Sequence, residues 1–253
     1  MLELIKNKKV NIYTNLNGNN PLIPIATDEL FLRQVLTNDE CILHIHSLEN
    51  SAILGTPDTR VPFFKEALDS LHNNNLIPAV RNIGGLGIIA DTGVISFSIV
   101  MKINPSTFSL NAGYNLMTEF IKEIFPEVSS KIQAVEISNS YCPGDFDLSI
   151  DGKKFAGIAQ RKVKENVVVS IYLSLFGNQQ NRTKIMKEYY EAGLKDQEIK
   201  YKYPKIDINC MDTLENLLNK SLTTKELLER MLKVLYSLNC EIEKGNYSNK
   251  MIE

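Results

Sequence analysis

The residues best suited to chemistry are Cys142 and the two lysines that follow it, Lys153 and Lys154. Cys142 precedes a Pro-Gly turn and a charged cluster, so we expect an accessible thiol rather than a buried structural one. A lysine ammonium close to a cysteine favours the thiolate, which is the form that attacks acyl groups. The stretch from Asn139 to Gly157 is therefore the predicted site of covalent acyl chemistry.

A tight hairpin is expected to bring the cysteine and the lysines together. The turn Asp151-Gly152 predicts that the strand carrying the lysines folds back beside the strand that follows Cys142. Alternation along a strand sends Lys153 and Lys154 to opposite faces, so only one of them can face the thiol. The other is expected to be a solvated hairpin residue, and the spacing leaves open which is which.

A second candidate site is the glycine-rich segment Gly84-Gly-Leu-Gly87, which follows Arg81. Its glycines partly match a dinucleotide-binding motif, but Asp91-Thr-Gly93 stands where the helix of that motif should run, so a nicotinamide enzyme is disfavoured. Glycines let a backbone approach a ligand closely. One interpretation is therefore that this segment lies against a ligand. The alternative is that its glycines are required only for packing of the turn.

Two histidines raise the possibility of a metal site. His44 and His46 would share one face of a strand, with Cys41 nearby. Because no third and fourth ligand is evident, we expect no bound metal and assign these histidines structural roles. We nevertheless predict that His44 borders an acyl pocket.

The two segments, in this order, resemble the lipoate and octanoate transferase family, which is related to the biotin protein ligases. The resemblance runs from about residue 42 to residue 203 and is strongest in 81–98 and 140–160. Within the family the chain is most similar to the octanoyl-[glycine cleavage H protein]:protein N-octanoyltransferases. The resemblance implies that Cys142 carries the acyl group, and it selects Lys154, directly before Phe155-Ala-Gly157, as the lysine that binds the acyl carbonyl or adjusts the nucleophile.

The resemblance also implies a substrate pocket formed by eight residues: Arg81, Gly84, Gly85, Leu86, Gly87, His44, Phe155 and Gly157. The chain departs from the ligases of the family in this loop. Val80 stands where the ligases have a second arginine, Ile83 replaces a serine and Ala90 replaces a histidine. A loop with fewer phosphate-binding groups suits an acyl chain better than an adenylate, so no nucleotide or other cofactor is expected.

The activity implied by the resemblance is transfer of an octanoyl group through a Cys142 thioester. The implied donor is the lysine of the glycine cleavage H protein, and the implied acceptors are lysines of E2 lipoyl domains of 2-oxoacid dehydrogenases. One alternative uses octanoyl-acyl carrier protein as donor, and another is an ATP-dependent lipoate-protein ligase. A third is a non-enzymatic protein that binds lipoyl-type domains or an acyl ligand.

Composition limits the other classes of function. The chain has 253 residues, 28 basic and 30 acidic side chains and a formal net charge of -2, so it lacks the basic field that nucleic-acid binding usually needs. Its cysteines, at positions 41, 142, 210 and 240, form no Cys-x-x-Cys pair, which favours a reducing compartment. No signal peptide and no apolar run of about 18 residues is evident, so we expect a cytoplasmic protein without a membrane partner.

The resemblance implies an α+β fold with a mixed, largely antiparallel sheet packed by helices, as in the catalytic domain of the biotin and lipoate protein ligases. One acyltransferase domain is expected over residues 1–253, with a family-like core at about 42–203 and a helical C-terminal end at 212–240. Hydrophobic periodicity and turn signals predict a loop at 50–61 and a second hairpin turn at Glu165-Asn166. They predict helices at 28–36, 63–73, 114–125, 181–192, 214–218 and 224–238, and strands at 41–46, 79–82, 87–89, 94–103, 131–137, 147–150, 154–163 and 167–176.

Overall fold

A computed structural model describes residues 1–246 of the chain, except residues 196, 198 and 199. In chain order the helices and strands are β1 (Lys9–Gly18), α1 (Leu22–Arg33), β2 (Glu40–Leu48), β3 (Asn50–Leu54), α2 (Phe64–Asn73), β4 (Ile77–Val80), β5 (Ile88–Asp91), β6 (Val94–Lys102), α3 (Ala112–Ile124), β7 (Gln133–Ala134), β8 (Leu148–Ile150), β9 (Lys153–Val163), β10 (Asn166–Ser174), α4 (Gln179–Leu194), α5 (Leu214–Leu218), α6 (Thr224–Ser237) and β11 (Glu241–Lys244).

The strands form a large sheet and a small one. The large sheet has the order β11-β1-β2-β6-β10-β9-β8-β7, and the small sheet has the order β4-β3-β5. In the large sheet β1 runs parallel to both β11 and β2, whereas the pairs from β2 to β7 are antiparallel. The prediction of an α+β fold with a mixed, largely antiparallel sheet is confirmed.

Side-chain alternation gives the large sheet two different faces. On β10, Val167, Val169, Ile171 and Leu173 enter the main core, which also contains apolar residues of α3 and α6. The intervening residues Ser170 and Tyr172 lie on the opposite face, where α1 packs against β2, β6, β9 and β10. The small sheet, α2 and α4 enclose a second core. The central strands thus present one fully apolar face and one face with small and polar residues.

Most of the predicted helices and strands are confirmed, including α6, where the Thr223 Oγ1 atom accepts a hydrogen bond from the Glu226 N–H. The predicted loop at 50–61 is wrong, because it contains β3 and a 3-10 helix, Thr56–Arg60. The strand at 131–137 shrinks to the two residues of β7. The second hairpin turn is formed by Lys164 and Glu165, since Asn166 already pairs with Val163.

Three further differences concern the N-terminal and C-terminal parts of the chain. Strands β1 and β11 were not predicted, and α1 begins at Leu22 rather than at Asp28.

Among the described residues, none of the helices combines the length and the apolar character needed to span a lipid bilayer.

Candidate active site

A cavity of about 400 Å³ lies between α1, the loop of residues 81–87, here called the glycine loop, and the polar face of the large sheet. Cys142 lines this cavity together with Arg81, Gly84, Gly85 and Gly157. Five of the residues predicted from the sequence therefore meet at one place. A cavity of this size matches the lower range of small-molecule sites in proteins.

The nucleophile candidate Cys142 is held in a strained conformation. Its φ angle is 50°, in the left-handed region that residues other than glycine rarely adopt. The Leu86 backbone N–H donates to the Cys142 Sγ atom at 3.1 Å, and Arg81 Nη2 lies 3.5 Å from the same sulfur. An amide donor and a guanidinium directed at one sulfur both favour negative charge on it. The glycine loop, rather than a lysine, supplies these contacts.

Lys154 is fully buried and saturated with hydrogen-bond acceptors. Its Nζ atom lies 2.8 Å from Asp147 Oδ1 and donates to the Cys142 carbonyl at 2.6 Å. It also donates to the Tyr141 carbonyl and to Ser140 Oγ, each at 3.2 Å. Three ammonium protons are thus shared among four acceptors. Within the described part of the chain, Cys142 Sγ is not a hydrogen-bond partner of this ammonium, which instead fixes the backbone that presents the sulfur.

The choice between the two lysines follows the prediction. Lys153 is partly exposed at the hairpin, and Lys154 points inward, as strand alternation requires. The turn is the expected one, because Asp151 and Gly152 both have positive φ angles, 51° and 76°. The role of Lys154 in the chemistry stays a prediction.

Asp147 is a site residue that was predicted only as part of a charged cluster and as the start of the strand at 147–150. Its side chain is 3% exposed, and Oδ2 accepts hydrogen bonds from the N–H groups of Ile137 and Gly144. Burial raises the pKa of Asp147, and the Lys154 ammonium opposes that rise. The sequence feature that indicates this pair is the position of Asp147 and Lys154 on either side of the tight Asp151-Gly152 hairpin. The pair ties the turn of Cys142 to β9.

Gly85 is required by the approach of the loop to the nucleophile. Its φ angle is 101°, and a Cβ atom there would lie 2.9 Å from Cys142 Sγ and 2.7 Å from Arg81 Nη2. Arg81 Nη2 in turn donates to the Leu86 carbonyl at 2.8 Å. The arginine therefore braces the loop and faces the sulfur at the same time.

Four residues predicted to bind substrate do not line the cavity. The Phe155 side chain lies in the main core, because it points to the face of β9 opposite to that of Lys154. Gly87 packs away from the cavity, where a Cβ atom would lie 2.6 Å from Met186 Cε. Leu86 contributes its backbone N–H to Cys142, while its side chain is buried. His44 is fully buried behind Asp28.

The sheet face of the cavity carries a hydrogen-bonded polar network that was not predicted. His44 Nδ1 lies 2.6 Å from Asp28 Oδ1, and the Ser98 hydroxyl donates to Asp28 Oδ2 at 2.6 Å. Ser98 and Ser170 share a further bond of 2.7 Å. Burial alone would raise the pKa of Asp28, but His44 and Ser98 outweigh it and hold that pKa below its usual range. Asp28 is therefore an ionised carboxylate at neutral pH.

His46 is the neighbour of this network on β2. Burial, with a smaller electrostatic contribution from the adjacent His44, lowers the pKa of His46 to about 3. The imidazole is therefore neutral at physiological pH. Cys41 lies on the opposite face of β2, in the main core. In the described ranges, no three His, Cys, Asp or Glu side chains are grouped to hold a metal ion.

Comparison with known proteins identifies similar sequences and folds. Residues 20–236 match a family described as the lipoyl protein ligase A/B catalytic domain. The chain is 37% identical to an octanoyl-[GcvH]:protein N-octanoyltransferase of Macrococcus caseolyticus (strain JCSC5402), over 92% of this chain and 85% of that protein. It is 39% identical to a protein of the same name from Staphylococcus aureus (strain NCTC 8325 / PS 47), over 88% of this chain and 80% of that protein.

Solved structures share the fold at low sequence identity. A putative lipoate protein ligase from T. acidophilum with bound lipoic acid aligns with a TM-score of 0.72 at 15% identity, over 96% of this chain and 92% of that chain. A lipoate-protein ligase A bound with ATP aligns with a TM-score of 0.72 at 16% identity, over 97% of this chain and 91% of that chain. These similarities establish the architecture.

Proposed function

The chain belongs to the lipoyl protein ligase A/B catalytic domain family and, within it, to the octanoyl-[GcvH]:protein N-octanoyltransferases, and from this premise we propose that it moves an octanoyl group from one protein lysine to another through Cys142. The proposed donor is the glycine cleavage H protein, and the proposed acceptors are E2 lipoyl domains of 2-oxoacid dehydrogenases. The observation that carries the proposal is the Cys142 sulfur, which borders the cavity while Leu86 and Arg81 direct an amide and a guanidinium at it.

The first half-reaction transfers the acyl group to the enzyme. The Cys142 thiolate attacks the carbonyl carbon of the octanoyl-lysine amide, a carbon–sulfur bond forms, and the carbon–nitrogen bond then breaks. The departing lysine nitrogen needs one proton, and we assign its delivery to Lys154. For this step the leaving nitrogen replaces one of the four acceptors that surround the Lys154 ammonium. The products are an octanoyl thioester on Cys142 and the free lysine of the donor.

The second half-reaction reverses these events with a different lysine. The amine of the acceptor attacks the thioester carbon and gives up one proton, which restores the Lys154 ammonium. The carbon–sulfur bond breaks and the Cys142 thiolate is released. Because one amide is exchanged for another equivalent amide, the overall transfer needs no nucleotide.

The glycine loop supplies the electrostatic part of the mechanism. Both tetrahedral intermediates carry an oxyanion, which fixed donors stabilise best. In the resting site the Leu86 N–H and Arg81 Nη2 are directed at the Cys142 sulfur, and we assign them to the oxyanion once the acyl group is bound. Arg81 is committed to the sulfur and to the Leu86 carbonyl, which supports a role at the nucleophile rather than at a phosphate.

The thioester must be protected from water between the two half-reactions. Ile88 lines the cavity, and so do Tyr114 and Phe146, whose rings stack with centroids 4.7 Å apart. These apolar groups limit hydrolysis of the thioester by excluding water.

A transfer assay without nucleotide tests the proposal. Octanoylated H protein, an unmodified E2 lipoyl domain and the enzyme are mixed, and the intact mass of the acceptor is followed. We expect the acceptor to gain one octanoyl group with wild type and with the Cys210→Ala control, and not with Cys142→Ala.

Two parallel reactions separate the alternatives. Modification of the acceptor from octanoyl-acyl carrier protein, with no transfer from the H protein, would replace the proposed donor. Modification only when ATP and free octanoate are supplied would overturn the amidotransferase proposal in favour of a ligase.

A further inference from the structure

Small side chains form the floor of the cavity where the central strands cross it. Ser170 on β10 pairs with Ser98 on β6 and with Ala159 on β9. Two residues further along β10 on the same face, Tyr172 pairs with Ser96 and Gly157, and residues paired in this way across the three strands are here called a row. Serine, alanine and glycine at these adjacent positions leave a groove on a sheet face that larger side chains would fill. This groove is the part of the cavity that runs beneath α1.

One end of the groove is closed by a small apolar cluster. Leu32, Ile83 and Val168 line the cavity and also belong to the core cluster formed by α1 and the sheet. Leu32 and Val168 are 1% and 3% exposed, so they pack as a fixed wall. Ile83 is partly buried and comes from the glycine loop. The three residues form what we call the end wall.

The other end of the groove lies at the catalytic residues. A Cβ atom on Gly157 would lie 3.5 Å from Lys154 Cε, and Lys154 Nζ lies 5.8 Å from the centre of the Tyr172 ring. The row of Tyr172 and Gly157 is therefore next to the site of attack. From Tyr172 to Val168 is four residues along β10, or about 13 Å at the usual rise per residue.

This length matches a medium acyl chain. An extended polypeptide advances about 3.5 Å for every three backbone bonds, so an extended alkyl chain of eight carbons, with seven bonds, spans about 8 Å. A van der Waals contact of about 4 Å between the terminal methyl group and the end wall brings the total to about 12 Å. Two more methylene groups would exceed the available length.

The polar floor is compatible with an alkyl chain because its hydrogen atoms are directed inward. Ser98 donates to the ionised Asp28, so the shared bond between the two serines must be donated by Ser170. His44 Nδ1 completes the interaction with the same carboxylate. Polar groups that are already satisfied can be covered by an apolar ligand at little cost.

We infer that the end wall of Leu32, Ile83 and Val168 sets the acyl chain length and that Ser98 and Ser170 keep the groove open, so that the site selects chains of about eight carbons. This inference rests on the proposed transfer through Cys142. It assigns specificity for chain length to residues that do not touch the reacting atoms.

The test compares acyl donors of different length. H protein carrying hexanoyl, octanoyl, decanoyl or dodecanoyl groups is mixed with the enzyme, and the rate of acylation of Cys142 is followed by intact mass. Wild type should prefer octanoyl over decanoyl by at least about tenfold, since one methylene in a fitted pocket changes the rate by about that factor or more. Val168→Ala and Ile83→Ala should reduce this preference to about threefold or less, and Ser170→Val should shift the optimum to hexanoyl.

Val100→Ala is the matched control for Val168→Ala. Val100 pairs directly with Val168, belongs to the same core cluster and does not line the cavity. Its chain-length profile should equal that of wild type. If Val168→Ala fails to fold, Ile83→Ala still tests the inference, because Ile83 lies on a loop and is only partly buried.

The outcomes separate the inference from the proposed function. Absence of acylation of wild type by every donor would refute the proposed function itself. A wild type that is acylated, with end-wall variants that keep its chain-length profile, would overturn the inference alone. So would a Val100→Ala variant whose profile changes as much as that of Val168→Ala.

Discussion

Replacement of Asp147 by asparagine should strongly destabilise the protein. The side chains of Lys154 and Asp147 are 0% and 3% exposed, and their Nζ and Oδ1 atoms are 2.8 Å apart. Asp147→Asn leaves a buried ammonium without its counter-ion, and loss of one partner of a buried pair costs about 3 to 5 kcal/mol.

Urea unfolding at pH 7 measures this loss, and Glu66→Gln provides the matched control. Glu66 pairs with Lys195 at 3.0 Å, but both side chains are 46% exposed, so its replacement should leave the urea midpoint close to that of wild type. The double variant Asp147→Asn with Lys154→Met should recover most of the lost stability, because no charge stays buried, yet it should not transfer acyl groups. A free energy of unfolding for Asp147→Asn within about 1 kcal/mol of wild type would refute the reasoning.

Three further predictions concern the glycine loop and the cavity floor. Gly85→Ala should lower the acylation rate by about a hundredfold in a single-turnover assay, because its Cβ atom would displace the donors at the Cys142 sulfur. Burial raises the pKa of the Cys41 thiol to about 12 and that of the Cys210 thiol to about 11. Iodoacetamide should therefore label Cys142 first near neutral pH. Because the Arg81 guanidinium is directed at the Cys142 sulfur, Arg81→Gln should slow that labelling by about tenfold. His46 has a folded-state pKa of about 3 against an ordinary 6.5, so the unfolded state binds one more proton between these values. Stability should therefore fall by about 2 kcal/mol from pH 6.5 to pH 5, and urea unfolding of His46→Asn should lack this component.

The sequence was informative where local rules decide the structure. Side-chain alternation and the Asp151-Gly152 turn were sufficient to predict the hairpin and the inward direction of one lysine. Alternation also explains an error, since the same rule that turns Lys154 towards the site turns Phe155 into the core. Applied to Phe155, side-chain alternation contradicts the family-based prediction that this residue binds substrate.

Other features depend on contacts between distant segments. The ammonium of Lys154 meets the Cys142 carbonyl rather than the sulfur because Cys142 adopts a positive φ angle, which Tyr141 and Pro143 do not dictate. The donors at the sulfur come from a loop more than fifty residues earlier in the chain. Local hydrophobic periodicity does not predict which distant segments of the chain come into contact.

The polar floor and the outer strands were missed for a related reason. Asp28, Ser98 and Ser170 come from α1, β6 and β10, and only the register of the sheet brings them together. Strand β1 has several polar residues that are exposed or half-buried, and it is defined by parallel pairing with β2 and with β11, far from it in the sequence. Parallel pairing of distant segments leaves no turn signal in the sequence.

The intact mass of the enzyme after incubation with octanoylated H protein and no ATP shows whether Cys142 carries the acyl group. Wild type should gain the mass of one octanoyl group, and hydroxylamine should remove it. Cys142→Ala should gain nothing, while Cys210→Ala should behave as wild type. Transfer to an acceptor by Cys142→Ala at the wild-type rate, or a wild type that transfers without any hydroxylamine-labile adduct, would contradict the proposal that Cys142 carries the acyl group.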